Sequence, residues 1–269
     1  MRNILWMLVV VLLCALSKGV ARAQELDLIQ TGGLKNWVQA DGQPVDSPKW
    51  ELVDGTLHLA GGGGGDIFFR DWVGDFVLKF DWRISENGNS GVKYRVQKYG
   101  DSWLGCEYQL QDDGANSISK QSTASLYDVI EPLSAIRANP VGEWNTAMIV
   151  VADNHIQHWM NGTLVVGTST GSSDWLTCVN NSKFNAYPGW GQNWTGRIML
   201  QDHGSEVWFR NMTLTRAENS VSNLPMNAPE LQSTCCPDPC ATAVPGSDQC
   251  RSTRIPFRRA LTRSRRFGR

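Results

Sequence analysis

From about Leu26 to Arg216 the chain reads as short runs in which apolar and polar residues alternate, separated by turn-forming pairs. A period of two places every second side chain on one face of a sheet. Residues 75–84 (DFVLKFDWRI) set Phe76, Leu78, Phe80 and Trp82 against Val77, Lys79, Asp81 and Arg83, the pattern of a half-buried strand. Strands are predicted in the same way over 92–96, 106–111, 144–151, 155–160, 197–201 and 207–215. Asp54-Gly55, Asp153-Asn154 and Asn161-Gly162 carry hairpin chemistry. Asn87–Gly91 reads as a turn, and the five glycines Gly61–Gly65 as a flexible loop. Residues 116–142 lack alternation and read as a long excursion over one face, a length that marks functional or disordered loops. Regular turns between short strands predict an all-β antiparallel β-sandwich, or jelly roll.

The two ends of the chain read differently. Arg2, the apolar run Ile4–Leu16 and the A-x-A triplet Ala21-Arg22-Ala23 have the form of a signal peptide over 1–23. The apolar run is short for a bilayer span. A mature chain from about Gln24 is expected, periplasmic or secreted, with no membrane span after cleavage and a folded domain over 24–216. Residues 217–269 are rich in Ser, Asn, Pro and Cys and then in Arg, a composition expected to be mostly disordered.

Charge divides along the same lines. The formal total is −1, but residues 1–23 carry +3 and residues 251–269 carry +8, which leaves −12 for 24–250. An acidic body excludes nucleic acid as its partner. Twelve Trp residues suit a domain that stacks on flat ligands. Export makes disulfides possible, with Cys106–Cys178 as one candidate within the body. The spacing of Cys235, Cys236, Cys240 and Cys250 matches no familiar zinc pattern.

The run 107–111 (EYQLQ) is the most informative. Glu107, Gln109 and Gln111 share one face, and Tyr108 and Leu110 the other. An acid and amides in a row suit a sugar groove, since each hydroxyl donates and accepts. Gly91, Lys93 and Arg95 form a second such face, and Arg197, Met199, Gln201 and His203 a third. A cation beside Glu107 would lower its pKa or bind a carbonyl oxygen. His158 is either a satisfied core histidine or a catalytic group. Glu107 and Asp112 are five residues apart and fall on opposite faces, which disfavours the paired carboxylates of a retaining glycosidase.

Seven motifs in order resemble the 3-keto-disaccharide hydrolase domain family: WELVDG (50–55), GNSG (88–91) with Tyr94-Arg95, EYQLQDD (107–113), ASLYDVIEP (124–132), GEWN (142–145), IQHWMNG (156–162), and LQDHG (200–204) with Phe209-Arg-Asn211. The stretch Thr177–Trp194 is longer than that pattern. The resemblance implies a concanavalin A-like fold, export, and action on oxidised sugars. A ketone at C3 acidifies the C2 proton. A base removes it, the C1 substituent leaves by elimination, and water adds back. The resemblance makes Glu107 and either His158 or His203 the base and acid. Lys93 or Arg95 would stabilise the enolate, and Gln109, Tyr127, Asn145 and Gln201 would bind the carbohydrate. A divalent metal held by Glu107 and His203 is possible; no cofactor is required by the sequence. The alternative is a non-catalytic carbohydrate-binding module of the same fold.

Overall fold

The computed structural model describes residues 25–133 and 137–216; the leader read over 1–23 and the tail read over 217–269 lie outside the described residues. The strands follow one another as β1 (Glu25–Asp27), β2 (Trp37–Val38), β3 (Trp50–Val53), β4 (Thr56–Leu59), β5 (Ile67–Phe69), β6 (Phe76–Ile84), β7 (Asn89–Tyr99), β8 (Ser102–Gln111), β9 (Asn145–Ala152), β10 (His155–Met160), β11 (Thr163–Ser169), β12 (Arg197–Leu200) and β13 (Val207–Arg216). Helix α1 (Ser173–Asn180) and two single turns of 3-10 helix complete the described elements. The strands form two antiparallel sheets. One is eight-stranded in the order β11-β10-β9-β6-β13-β4-β3, with β1 also on β13; the other is five-stranded, β2-β5-β12-β7-β8. The sandwich expected from alternation is therefore the fold, and among the described residues α-helix is confined to the insert after β11.

The core lies between the sheets. Phe76, Phe80 and Trp82 of β6 are buried, and across the gap Phe76 meets Tyr94 at 6.1 Å and Phe80 meets Tyr108 at 5.8 Å, both edge to face. Each large apolar side chain buried this way contributes roughly 1.5–3 kcal/mol.

One irregularity decides what reaches the outer face of the five-stranded sheet. The register of β7 slips against β8 between Tyr94 and Gln97, and against β12 between Arg197 and Met199. Arg95 sits in this bulge with φ 51°. An extra residue in a bulge inverts the alternation beyond it. Lys93 stays on the outer face, and Val96 packs there with Val38, Phe68 and Met199. Arg95 is redirected to the far end of the other sheet. Its Nη2 donates to the Asp153 carbonyl at 2.6 Å and lies 3.7 Å from Asp75. The expectation that Arg95 shares a face with Lys93 is thus corrected: strict alternation was assumed through a bulge.

His158 is likewise inside. It is fully buried on β10, with Nδ1 3.0 Å from the Ala124 carbonyl and Nε2 2.7 Å from the Tyr94 hydroxyl. A carbonyl can only accept, so Nδ1 carries the proton and Nε2 accepts from Tyr94. The ring joins one sheet, the other sheet and the loop after β8. Burial pushes its pKa down to about 4, against the hydrogen bond to Ala124. Of the two readings open in the sequence, the structure assigns the core one. Cys106 is a free, buried thiol, so the Cys106–Cys178 bridge is not formed.

The excursion after β8 doubles back along that strand. Ala124 N donates to the Gln109 carbonyl at 2.8 Å and Tyr127 N to the Glu107 carbonyl at 3.1 Å. It extends the sheet and walls its face rather than lying across it.

The buried imidazole makes stability pH-dependent. Its folded pKa lies below the unfolded value of 6.5, so its contribution is complete above pH 6.5 and is lost as pH falls towards 4. The full loss is about 3 kcal/mol. Urea midpoints should fall across that window in the wild type, and the slope should be shallower in His158→Gln. Identical slopes would exclude His158 as the titrating group.

Candidate active site

Two rows of side chains cross the outer face of the five-stranded sheet. Met199, Lys93 and Glu107 are opposite one another on β12, β7 and β8. Beside them run Gln201, Gly91 and Gln109; Gly91 is paired with Gln109, and Gln201 N donates to the Gly91 carbonyl at 3.0 Å. Glu107 is only 5% exposed. Its carboxylate leans over Gly91, where a Cβ would overlap Glu107 Oε1. The missing side chain is the space the carboxylate occupies.

Lys93 Nζ is 3.7 Å from Glu107 Oε2. The sequence suggested that such a cation would lower the pKa of Glu107, and Lys93, Lys183 and His203 all act in that direction. Burial outweighs them and pushes the carboxyl above its ordinary value. A carboxylate in that state holds a proton more readily than one in water, which suits a general base.

The amides beside it are oriented by their neighbours. Gln109 Nε2 donates to Asn89 Oδ1 at 3.3 Å and to Gln111 Oε1 at 3.2 Å. That leaves Gln109 Oε1 buried without a partner among the described residues, and Gln201 Oε1 is in the same state. Unpaired buried acceptors are costly, and a ligand's donors would relieve them.

Two loops frame this floor. Asp202 accepts from Gly63 N at 3.0 Å, Gly65 N at 2.8 Å and Gly204 N at 3.0 Å. The five-glycine loop is therefore held against the turn that carries His203. Asp66, just after the loop, accepts from Asp202 N at 2.9 Å. Burial raises the Asp66 pKa, while that hydrogen bond and then Lys93 act to lower it. His203 is exposed at the rim, near enough for its charge to act on both Glu107 and Asp66.

The opposite wall carries Tyr127 and Lys183. Lys183 Nζ lies 4.2 Å from the centre of the Tyr127 ring, and Lys183 N donates to Asp128 Oδ2 at 2.7 Å. The insert that delivers Lys183 is held by stacked rings, Phe184 on Trp190 at 3.9 Å and Trp175 on Trp190 at 5.8 Å.

Of the residues singled out in the sequence, Glu107, Lys93, Gln109, Gln201, His203 and Tyr127 come together here. Arg95 and His158 do not. Nor does Asn145, which is buried on β9 with Oδ1 accepting from Asn139 N at 2.8 Å and Asn161 Nδ2 at 3.0 Å; it ties two loops together. Asp66 and Lys183 were missed. Neither stands on a strand with a readable alternating face, and only the tertiary fold brings them to Glu107. Among the described residues no three His, Cys, Asp or Glu side chains are arranged to hold a metal. The cation set between Glu107 and Asp66 is Lys93.

The family described as 3-keto-alpha-glucoside-1,2-lyase-like domain matches residues 27–215. The chain belongs to this family. A curated relative, the 3-keto-disaccharide hydrolase of Bacteroides thetaiotaomicron, is 32% identical over 201 residues, which cover 61% of this chain and 69% of that protein. A crystal structure of a candidate glycosyl hydrolase from Parabacteroides distasonis is 33% identical with a TM-score of 0.60, over 67% of this chain and 88% of the other. A second from that organism shares the fold at 23% identity and a TM-score of 0.56, over 72% and 99%. Family membership and the named relative make this a hydrolase-type enzyme on an antiparallel β-sandwich.

The clamp on the glycine loop is directly testable. Asp202→Ala removes the acceptor of three loop amides, so hydrogen exchange at Gly63, Gly65 and Gly204 should accelerate well beyond that of the β7 and β8 amides. Unchanged protection at these glycines would show that Asp202 does not hold the loop.

Proposed function

We propose that the protein is an exported enzyme that cleaves the glycosidic bond of 3-keto-glycosides or 3-keto-disaccharides by removing the C2 proton. The observation that carries the reading is the buried Glu107 carboxyl, raised above its ordinary pKa and lying over Gly91 among Lys93, Gln109 and Gln201. Its export rests on the leader-like pattern of residues 1–23.

In this reading Glu107 takes the C2 proton and the electron pair moves into the C2–C3 bond, leaving negative charge on the C3 oxygen. Collapse of that enolate restores the ketone, forms the C1–C2 double bond and breaks the bond from C1 to the leaving oxygen. The leaving oxygen takes a proton; exposed His203, at the rim, is the group suited to give it. Water then adds at C1 and a proton returns to C2 from Glu107, so the net change is hydrolysis. Gln109 Oε1 and Gln201 Oε1 accept from sugar hydroxyls, and Tyr127 lines the wall. Lys93 holds Glu107 in place.

The binding-module alternative draws on the same face, but it gives no reason to bury a carboxyl over a glycine. Much of the Trp content that a binding module would use for stacking is core, such as Trp37, Trp82 and Trp175, while Trp72 and Trp194 are exposed.

A 3-keto-disaccharide should be cleaved and its unoxidised parent should not, because only the ketone makes C2–H acidic. Glu107→Gln should lose at least about 10²-fold in kcat with a near-native thermal midpoint. Gly91→Ala should push the carboxylate aside and lose a comparable factor, since a displacement of about 1 Å can cost that much. Equal cleavage of the parent sugar would return the protein to ordinary glycosidases; tight binding of both without turnover would make it a binding module.

A further inference from the structure

The base at Glu107 stands between two lysines that are differently engaged. Lys93 reaches it from β7, on the inner side of β8, and is within 3.7 Å of its carboxylate. It also feels Asp66, so its charge is shared by two acids in the floor. Lys183 comes from the other side. The segment 123–127 runs along the free edge of β8, and Lys183 is tied to that segment through Asp128 and set over the Tyr127 ring.

Among the described residues no carboxylate lies within 4.0 Å of Lys183 Nζ. The charged groups that act on it are Glu107, Asp128 and Lys93, and Tyr127 and Phe184 present their ring faces. The ammonium is held in position by aromatic contact while its hydrogen-bond donors remain unspent on a salt bridge. Aromatic faces hold a cation without neutralising it.

Building on the function proposed above, we propose that Lys183 is a catalytic residue that binds the C3 oxygen of the substrate and carries the negative charge that develops there. The reacting carbons then lie between Glu107 and Lys183. As Glu107 takes the C2 proton, the C3 carbonyl becomes an enolate, and Lys183 donates a charge-assisted hydrogen bond to its oxygen. The bond is strongest when the charge is greatest, which is the condition for lowering the barrier. When the C1–O bond breaks and the ketone returns, the interaction relaxes. Lys183 keeps its own proton throughout. Lys93 is unsuited to this role because it is already the counter-ion of the base.

Lys183 is exposed at the surface, and the partial desolvation it does undergo lowers its pKa, with Glu107 and Asp128 acting to raise it and Lys93 to lower it further. The rate should therefore rise with pH as Glu107 ionises and fall again as Lys183 loses its proton.

The test separates enolisation from cleavage. The 3-keto derivative of 1,5-anhydroglucitol has a C2 proton and a C3 ketone but no exocyclic leaving group at C1. In deuterium oxide its C2 proton should exchange on the wild-type enzyme, with the C4 proton as an internal control, and NMR reads both. Lys183→Met should slow C2 exchange by at least about 10²-fold, the order found when an oxyanion donor is removed. Lys183→Arg should restore much of it and move the alkaline limb to higher pH, with a wild-type thermal midpoint. Wild-type exchange in Lys183→Met, or an unmoved alkaline limb in Lys183→Arg, overturns the role of Lys183. Should Lys183→Met fail to fold, Lys183→Arg alone decides. A wild-type enzyme that neither exchanges C2 nor cleaves a 3-keto-disaccharide overturns the proposed function itself.

Discussion

Taking a carboxylate out of water costs several kcal/mol, and the groove is built around that cost at Glu107. The carboxyl is 5% exposed, and the room for it comes from the missing side chain of Gly91. Lys93 lies 3.7 Å away, and Lys183 and His203 add positive charge at longer range. Those charges limit the penalty without removing it, so the net effect still raises the pKa. Lys93 alone exposed to water would make an ordinary ion pair and an ordinary acid. Burying the pair makes the Glu107 carboxyl hold a proton more readily than an exposed carboxylate would.

The same balance links the remaining ionisable groups. Lys183 is lowered by partial desolvation while Glu107 is raised, so the two pKa values move towards each other. Each charge supports the other, and loss of either would shift its partner. Tyr127 takes part as well: burial raises its hydroxyl, and the negative charges of Glu107 and Asp128 raise it further. It therefore keeps its proton beside Glu107 and serves as a neutral ring face for Lys183. These groups form a coupled system whose apparent titrations belong to the cluster rather than to single residues.

The sandwich was legible because alternation is a direct image of strand geometry. The face of Glu107 and Gln109 could be read from five residues, and the strands carrying Lys93 and Gln201 from similarly short runs. What failed was alternation carried past its domain. Arg95 follows Lys93 by two, yet the bulge turns it to the other sheet. His158 was ambiguous because both parities of its strand mix polar and apolar residues. Asn145 looked like a ligand-binding amide because a sequence does not reveal that its carbonyl is spent on Asn139 and Asn161. Asp66 arrives through a loop and Lys183 on a single 3-10 turn, where no strand period predicts direction.

The division between the sheets explains why the loops could be added without disturbing the core. The interior is closed by Tyr94, Tyr108, His158 and the rings of β6, and the groove uses only the opposite face of β7, β8 and β12. The insert after β11 has its own small stack of Trp175, Trp190 and Phe184, packed on the main core near Cys106. Gly191 makes this docking possible, since a Cβ there would overlap the Trp175 ring. The insert is therefore rigid where it joins the sandwich and delivers a single cation, Lys183, to the wall. The insert and the segment after β8 are joined through Asp128 and the Tyr127 ring.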